Sequence, residues 1–316
     1  MYRYIVQRLL LMLPVVLGVS LIIFTIMYFI PGDPASNILG VGATPDAVEQ
    51  LNEELGFNRP FIVRYVTYIY DAAFKFDLGK SYQNRLAVAG EIAKRVPVSA
   101  IVSFGAVVVS LIIGIPLGVL SAVKQYTLWD KIPNSIAQFM AAVPAFIIGM
   151  LLMLLFSLVL GWFPVSGIIH GWKSYVLPIV SLGIPYGARQ LRFTRSSMLE
   201  TVRQDYVRTA RAKGASPRMV VWRHAMKNAL LPVITVAGTS FGAMLGGAIA
   251  IENLFGLPGL GTYIADGIAL KDVPAVMGGI IVYSLLFSIV ILLVDISYAL
   301  VDPRIKAKYQ QGGKAA

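Results

Sequence analysis

Few residues in this sequence have the types and spacing that catalysis needs. Ser166 and His170 share one short segment and could supply a nucleophile and a base, but no G-x-S-x-G turn frames the serine and no acidic residue is suitably placed beside them. The chain has no cysteine and only one other histidine, His224, which excludes a thiol nucleophile and disfavours a histidine-rich metal site. No G-x-x-x-x-G-K-[ST] phosphate loop occurs. We therefore expect no catalytic residues, no metal site and no cofactor bound by this chain.

The composition indicates elements that lie in a lipid bilayer. Of the 316 residues, 57% are hydrophobic and 14% are charged, whereas soluble proteins carry about 25% charged residues. A helix needs about twenty mostly apolar residues to cross a membrane. The sequence thus predicts an all-α integral membrane protein with about six transmembrane helices, at Leu9–Ile30, Val98–Val123, Ile132–Leu160, Val176–Phe193, Leu231–Ile251 and Ala275–Val301. No A-x-A cleavage site follows the first segment, so we expect it to be retained rather than removed as a signal peptide.

Basic residues separate the connections into two alternating sets. One set holds Arg3 and Arg8, Lys124 and Lys131, the run from Arg195 to Lys227, and the tail from Arg304. The positive-inside rule places this set, and so both termini, in the cytoplasm. The net charge of +11 is therefore a topology signal and not a nucleic-acid-binding surface. The predicted domains are residues 1–30 with the first helix, an extracytoplasmic subdomain 31–97, a core 98–301 with a cytoplasmic loop 197–230, and a cytoplasmic tail 302–316.

The predicted outer subdomain should contain two helices. Thr44 can cap a helix that has Pro45 at its first position and Gly56 at its end. A second helix over Pro60–Phe74 carries aromatic residues at helical spacing, among them Phe61, Tyr65 and Tyr68. This aromatic face either packs on the membrane surface or the pore mouth, or docks an external partner.

The sequence of the predicted cytoplasmic loop indicates two short helices joined at a glycine. Asp205 is a favourable N-cap, Tyr206–Lys213 favours a helix, and Gly214 is a natural stop. Ser216 and Pro217 then predict the start of a second helix that runs towards Asn228. A basic, solvated loop is the alternative.

Glycines define two further features. Gly238, Gly242 and Gly246 form one face of the fifth predicted span, where small residues allow close helix packing against another span or a partner subunit. The Gly- and Pro-rich segment Glu252–Pro274 predicts a tight turn followed by a re-entrant or surface-lying segment.

Five segments together resemble one family of membrane proteins. The run DYVRTARAKG at 205–214, followed by HA at 224–225 and NALLP at 228–232, resembles the EAA motif of ABC importer permeases, in the form found in the dipeptide, oligopeptide and nickel permease family. The other matching segments are IPGDP at 30–34, TRSSMLE at 194–200, FGLPGLG at 255–261, and Asp295 with DPRI at 302–305. The resemblance covers nearly the whole chain and is nearest to the dipeptide-permease B type.

The resemblance implies a type I ABC importer permease fold in a bacterial or archaeal cell membrane. It implies a pore-forming, non-catalytic subunit that pairs with a homologous second permease as a heterodimer, contacts membrane lipid, and receives peptide from an extracytoplasmic solute-binding protein. Two cytoplasmic ATPase subunits would use ATP and Mg and contact the coupling helix, whose candidate residues are Tyr206, Arg208, Thr209, Ala210, Arg211, Ala212, Lys213 and Gly214. Glutathione, nickel or a metal chelate are alternative substrates within the family. An ion-driven carrier or an intramembrane hydrolase is the less favoured class, because the interior charges are few and cluster towards the cytoplasmic side.

Two charged residues inside predicted spans are candidates for the transport path. Arg189 lies in the fourth span, where the family more often has an apolar residue, and could pass a peptide carboxylate or form a salt bridge with Asp295. Asp295 lies near the cytoplasmic end of the last span, where pairing with Arg192 or Arg195 is the alternative.

Overall fold

The computed structural model describes residues 2–31, 34–40 and 42–301, and these ranges are almost entirely helical. Apart from a single bridge between Lys80 and Ala87, the described ranges contain no β-structure. The helices are α1 (Tyr2–Phe29), α2 (Pro34–Leu39), α3 (Pro45–Glu54), α4 (Phe61–Phe74), α5 (Val88–Val123), α6 (Leu128–Ala142), α7 (Ala145–Leu152), α8 (Lys173–Val202), α9 (Asp205–Ala212), α10 (Pro217–Met219), α11 (Met226–Leu254), α12 (Leu260–Ala269) and α13 (Val273–Val301). Two π-helical segments, Met153–Val159 and Val220–Ala225, continue α7 and α10.

Four helices in the described ranges are long and apolar enough to cross a membrane. They lie at Arg8–Phe29, Val88–Val123, Pro232–Leu254 and Val273–Ile296, close to the first, second, fifth and sixth predicted spans. Helix α5 has 36 residues and begins at Val88, so its first turns fall inside the segment 31–97 that the sequence assigned to the outer subdomain.

The third predicted span is not one straight helix. The chain turns by 102° between Leu128–Ala142 and Ala145–Val159, so the prediction of a single tilted helix over Ile132–Leu160 was wrong. The cause is local, because Val143 precedes Pro144 and takes the extended conformation (ψ 127°) that a following proline favours. The fourth predicted span falls within α8, which is helical throughout but contains Arg189, Arg192 and Arg195.

The chain divides into two compact units. The first unit contains residues 2–5, 100–257 and 289–301, and the second contains residues 6–31, 34–40, 42–99 and 258–288. Helices α5 and α13 therefore contribute their two ends to different units. The segment after the Gly- and Pro-rich turn thus belongs with the outer residues, a grouping over a long sequence distance that the sequence analysis did not include.

Helix α8 is the centre of the first unit, where it packs against α6, α7 and α11. Its contact with α5 is close because glycines lie at the crossing. A Cβ atom on Gly114 would lie 2.5 Å from Cβ of Gln190, and one on Gly183 would lie 2.7 Å from a methyl group of Val109. Small residues of this kind let the backbones of membrane helices approach closely.

The second unit has its own apolar core. Phe24 of α1, Tyr65 of α4, Ile92 of α5 and Ile264 of α12 pack together with the start of α13. The ring of Phe24 lies 5.2 Å from that of Phe61 and 5.5 Å from that of Tyr65, in tilted arrangements. Such pairs add to the free energy of burial.

Candidate coupling site and interior charges

The N-cap of α9 lies one residue earlier in the chain than the sequence predicted. Gln204 has the extended backbone of an N-cap (φ −70°, ψ 148°) and makes no side-chain capping bond. Asp205 is therefore the first helical residue, and the prediction that it caps the helix was wrong. Its carboxylate still lies in the first turn, where a negative charge is favourable, and it is 3.7 Å from the guanidinium of Arg208.

Gly214 ends α9 as predicted. It has φ +82°, which favours glycine because other residues carry a Cβ that clashes in this region. The amide of Gly214 donates to the carbonyl of Arg211 at 2.9 Å and that of Ala215 to the carbonyl of Ala210 at 3.1 Å, so the last carbonyls of α9 are satisfied as in a glycine-terminated helix.

The next helix starts as predicted but does not end near Asn228. The hydroxyl of Ser216 accepts a hydrogen bond from the amide of Met219 at 3.3 Å, and Pro217 occupies the first position. The helix then passes through the π segment Val220–Ala225 directly into α11. The last part of the predicted loop and the fifth span thus form one continuous helical rod from Pro217 to Leu254.

One face of α9 packs against this rod. Val207 is fully buried and Ala210 is nearly so, and the helix packs against the π segment. The side-chain amide of Asn228 donates to the hydroxyl of Tyr206 at 2.7 Å. Next to this contact, Met198, Ala225 and Ala229 form part of a buried cluster. The other coupling candidates are exposed: Arg208, Thr209, Arg211, Ala212, Lys213 and Gly214.

A buried carboxylate binds the cytoplasmic end of α8, and the sequence analysis missed it. Asp130, at the start of α6, is 4% exposed and accepts hydrogen bonds from Arg195 Nε at 2.7 Å and Nη2 at 2.8 Å. It also accepts from the hydroxyl of Ser121 at 2.6 Å and the amide of Tyr126 at 2.9 Å. No local pattern could reveal this pair, because Arg195 is 65 positions away from Asp130 along the chain.

The two interior charges proposed from the sequence have separate surroundings. Arg189 is exposed on α8, and its guanidinium lies 5.0 Å from the ring centre of Tyr186. Asp295 on α13 is 9% exposed. Arg195, one of the residues considered as its partner, is instead bound to Asp130.

The three glycines of the predicted face on α11 do not share one environment. A Cβ on Gly238 would lie 2.2 Å from a methyl group of Val294 on α13, whereas a Cβ on Gly246 would have no neighbour within 4 Å. Gly242, between them, is half-buried. Gly238 thus meets another span, and Gly246 leaves an open surface.

The predicted aromatic face of α4 points into the second unit. Tyr65 is buried, and its hydroxyl lies 3.0 Å from Ser20 Oγ and donates to the carbonyl of Leu17 at 3.0 Å. Burial raises the pKa of Tyr68 above its ordinary value, so this phenol stays protonated and donates to the carbonyl of Leu78 at 3.3 Å. Phe61 packs on Phe24. These positions favour the packing alternative over a docking role for all three residues.

A second carboxylate that the sequence analysis missed organises the outer loop. Asp272 is 3% exposed; it accepts from the hydroxyl of Ser81, from the amide of Tyr82 at 3.1 Å and from the amide of Ala275 at 3.3 Å. It therefore holds the segment before α5 against the start of α13, within the second unit.

Comparison with known proteins assigns this architecture to a family. The family described as "Binding-protein-dependent transport system inner membrane component" matches residues 114–307, and its N-terminal counterpart matches residues 1–105. The chain belongs to this family. It is a permease component of an ABC importer and a multi-pass membrane protein, as the sequence resemblance implied.

Relatives match this permease over nearly its full length. The glutathione transport system permease protein GsiC of Escherichia coli is 38% identical over 98% of this chain and 100% of its own length. The dipeptide transport system permease protein DppB of Alkalihalophilus pseudofirmus is 38% identical over 97% of this chain and 100% of its own length.

Solved structures confirm the permease fold at lower identity. An inward-facing structure of the MetNI methionine ABC transporter matches with a TM-score of 0.57 and 17% identity, over 67% of this permease and 97% of the solved chain. An amino acid ABC transporter crystallised with histidines matches with a TM-score of 0.54 and 13% identity, over 67% of this permease and 94% of that chain. The type I importer permease fold predicted from the sequence is thereby confirmed.

Proposed function

We propose that this permease carries di- and oligopeptides, including the tripeptide glutathione, across the cell membrane. The observation that supports this substrate class is the full-length similarity to one permease named for glutathione and one named for dipeptides. Both substrates are short peptides with free carboxylates, so the two names describe one class of solute. In the described ranges no group of three His, Asp or Glu side chains could hold a metal ion, and nothing favours nickel over peptide.

We propose further that α9 is the contact for separate ATPase subunits. Val207 and Ala210 hold one face of this helix against the protein, and Arg208, Arg211 and Lys213 project from the other. A short helix that is capped at its C-terminal end and seated on a membrane-spanning helix presents a fixed shape to a partner. Movement of that partner would reach α11 through the π segment and α8 through the cluster around Met198.

The assembly that this proposal needs is a second, homologous permease, two ATPases and an external binding protein. ATP and Mg would be used by the ATPases, and this chain would stay non-catalytic. Exposed apolar residues on the spans, such as Leu10, Ile22 and Ile112, fit contact with lipid or with the second permease.

The test is reconstitution of the complex that co-purifies with the tagged permease. We expect a second permease and ATPases in the purified complex, and ATP-dependent uptake of a labelled dipeptide into proteoliposomes when the binding protein is added. Excess unlabelled glutathione is then added. A fall in uptake of the labelled dipeptide indicates that both solutes use one path, and unchanged uptake indicates a path for dipeptides alone. Uptake that continues without ATPases, or with a non-hydrolysable ATP analogue, would contradict the proposal.

A further inference from the structure

Two arginines on α8 line an open cleft in the first unit. Arg189 and Arg192 are one helical turn apart, and both are exposed. The cleft has a volume of about 430 Å³ and is lined by Asn134, Arg189, Arg192, Phe193, Arg195 and Ser196. It lies beside the contact of α6 with α8, and its lining is dominated by positive charge.

Arg195 differs from the other two arginines in having its charge neutralised. It is bound to the carboxylate of Asp130 by two hydrogen bonds. Within the described ranges, neither Arg189 nor Arg192 forms an ion pair, and Arg189 lies over the Tyr186 ring. Two guanidinium groups thus remain available to an anion in the cleft.

The position of these residues along α8 bears on what they could bind. Lys124 and Lys131 mark the cytoplasmic side of the α5–α6 connection, and Arg195 binds Asp130 at that level. With a helical rise of 1.5 Å per residue, Arg192 lies about 4.5 Å and Arg189 about 9 Å from Arg195 along α8, on the side away from α9. A charge inside a membrane protein is stable only if it faces water or a partner.

The chemistry of the cleft fits a carboxylate. A guanidinium binds a carboxylate through two parallel, charge-assisted hydrogen bonds. A cleft lined by side chains of one charge also raises the local concentration of the opposite charge. On the proposed function, the anion that moves through this protein is a peptide with a free carboxylate.

We propose that Arg189 and Arg192 form a transient binding site for the carboxylates of net-anionic peptides as they cross the membrane, so that a second carboxylate on the peptide favours its uptake. This inference rests on the peptide-import function proposed above. The site would select solutes by charge inside the permease, separately from the choice made by the external binding protein.

The test compares two dipeptides that differ by one carboxylate, alanyl-glutamate and alanyl-glutamine, with uptake measured in the reconstituted complex. The variant Arg189→Gln with Arg192→Gln should lower uptake of alanyl-glutamate relative to alanyl-glutamine by at least about 10-fold, because it removes both guanidinium groups and the loss of even one charge-assisted hydrogen bond has about that effect. For each complex, the uptake of alanyl-glutamate is divided by the uptake of alanyl-glutamine. Comparing this ratio between the variant and the parent removes the preference of the binding protein, because the same binding protein serves both complexes. Arg189→Lys with Arg192→Lys should keep most of the selectivity, and Lys173→Gln, at the opposite end of α8, should leave it unchanged.

Each other outcome has a definite meaning. An equal loss for both peptides, or a loss that depends on the anionic lipid content of the vesicles, would overturn the proposal in favour of a structural or lipid-binding role. Unchanged uptake of both peptides would also overturn it. Absence of ATP-dependent uptake of either peptide by the parent complex would instead refute the peptide-import function, and this inference with it.

Discussion

The guanidinium of Arg195 on α8 holds the carboxylate of Asp130 on α6 in a two-point contact, with N–O distances of 2.7 and 2.8 Å. The same carboxylate accepts bonds from Ser121 and from the amide of Tyr126. The contact therefore fastens the turn between α5 and α6 to α8, a short distance before α8 leads into α9.

Breaking this contact should destabilise the first unit. Arg195→Gln leaves a buried carboxylate without its cation, and removal of one partner from a buried pair costs about 3 kcal/mol. We expect a clear fall in the unfolding midpoint of the purified complex. Arg192→Gln, on the same helix but without a carboxylate partner in the described ranges, is the matched control and should unfold like the parent. Equal midpoints for the two variants would contradict the importance of the pair.

Disruption of the packing of α9 against the π segment should uncouple transport from ATP hydrolysis. Val207→Asp places a charge at a fully buried position, so the helix should lose its fixed placement on the π segment. We expect ATP-dependent uptake to be abolished while the ATPases still hydrolyse ATP. Thr209→Ala, at an exposed position of the same helix, should change uptake by less than about twofold if packing rather than local sequence matters.

The two ends of the glycine face should respond differently to a larger residue. Gly238→Leu forces side-chain atoms into Val294, which already lies 2.2 Å from the position of a first Cβ, and should reduce the amount of folded permease. Gly246→Leu enters open space and should leave this chain folded. If Gly246 instead faces the second permease, Gly246→Leu should weaken assembly on native gels without lowering the thermal stability of the isolated chain.

Tyr65 should matter for stability and not for docking. Tyr65→Phe removes the bonds of its hydroxyl to Ser20 and Leu17 and should cost about 1 kcal/mol of unfolding free energy. The affinity of the folded complex for its binding protein should stay the same. A loss of affinity at unchanged stability would restore the docking interpretation. Val66→Asp, on the exposed side of the same helix, tests whether that side contacts the partner.

Local signals in the sequence predicted the parts of the fold that depend on neighbouring residues. The cap at Thr44, which accepts from the amide of Ala47 at 3.4 Å, and the stop at Gly214 both follow from short-range backbone chemistry. The same kind of local signal misplaced the cap of α9, because Asp205 is a favourable N-cap by residue type, but Gln204 takes the extended conformation. Pro144 could have indicated the turn before it. The hydropathy pattern could not, because it shows how many consecutive residues are apolar and not where the chain changes direction.

The remaining features depend on residues that are far apart in the chain. Asp130 and Arg195 are separated by 65 positions, and Ser81 and Asp272 by 191. Helical periodicity likewise identified the aromatic face of α4 correctly as a face, but it carries no information on whether α1 or another protein covers it. A carboxylate at the start of an apolar helix, as at Asp130, is the one signal that could have indicated a buried partner.

The rod from Pro217 to Leu254 is not equally stiff along its length. Its π segment, Val220–Ala225, and Pro232 both fall in its cytoplasmic part, and both weaken the regular hydrogen bonds that resist bending. The rod should therefore bend most easily between Val220 and Pro232, beside its contact with α9.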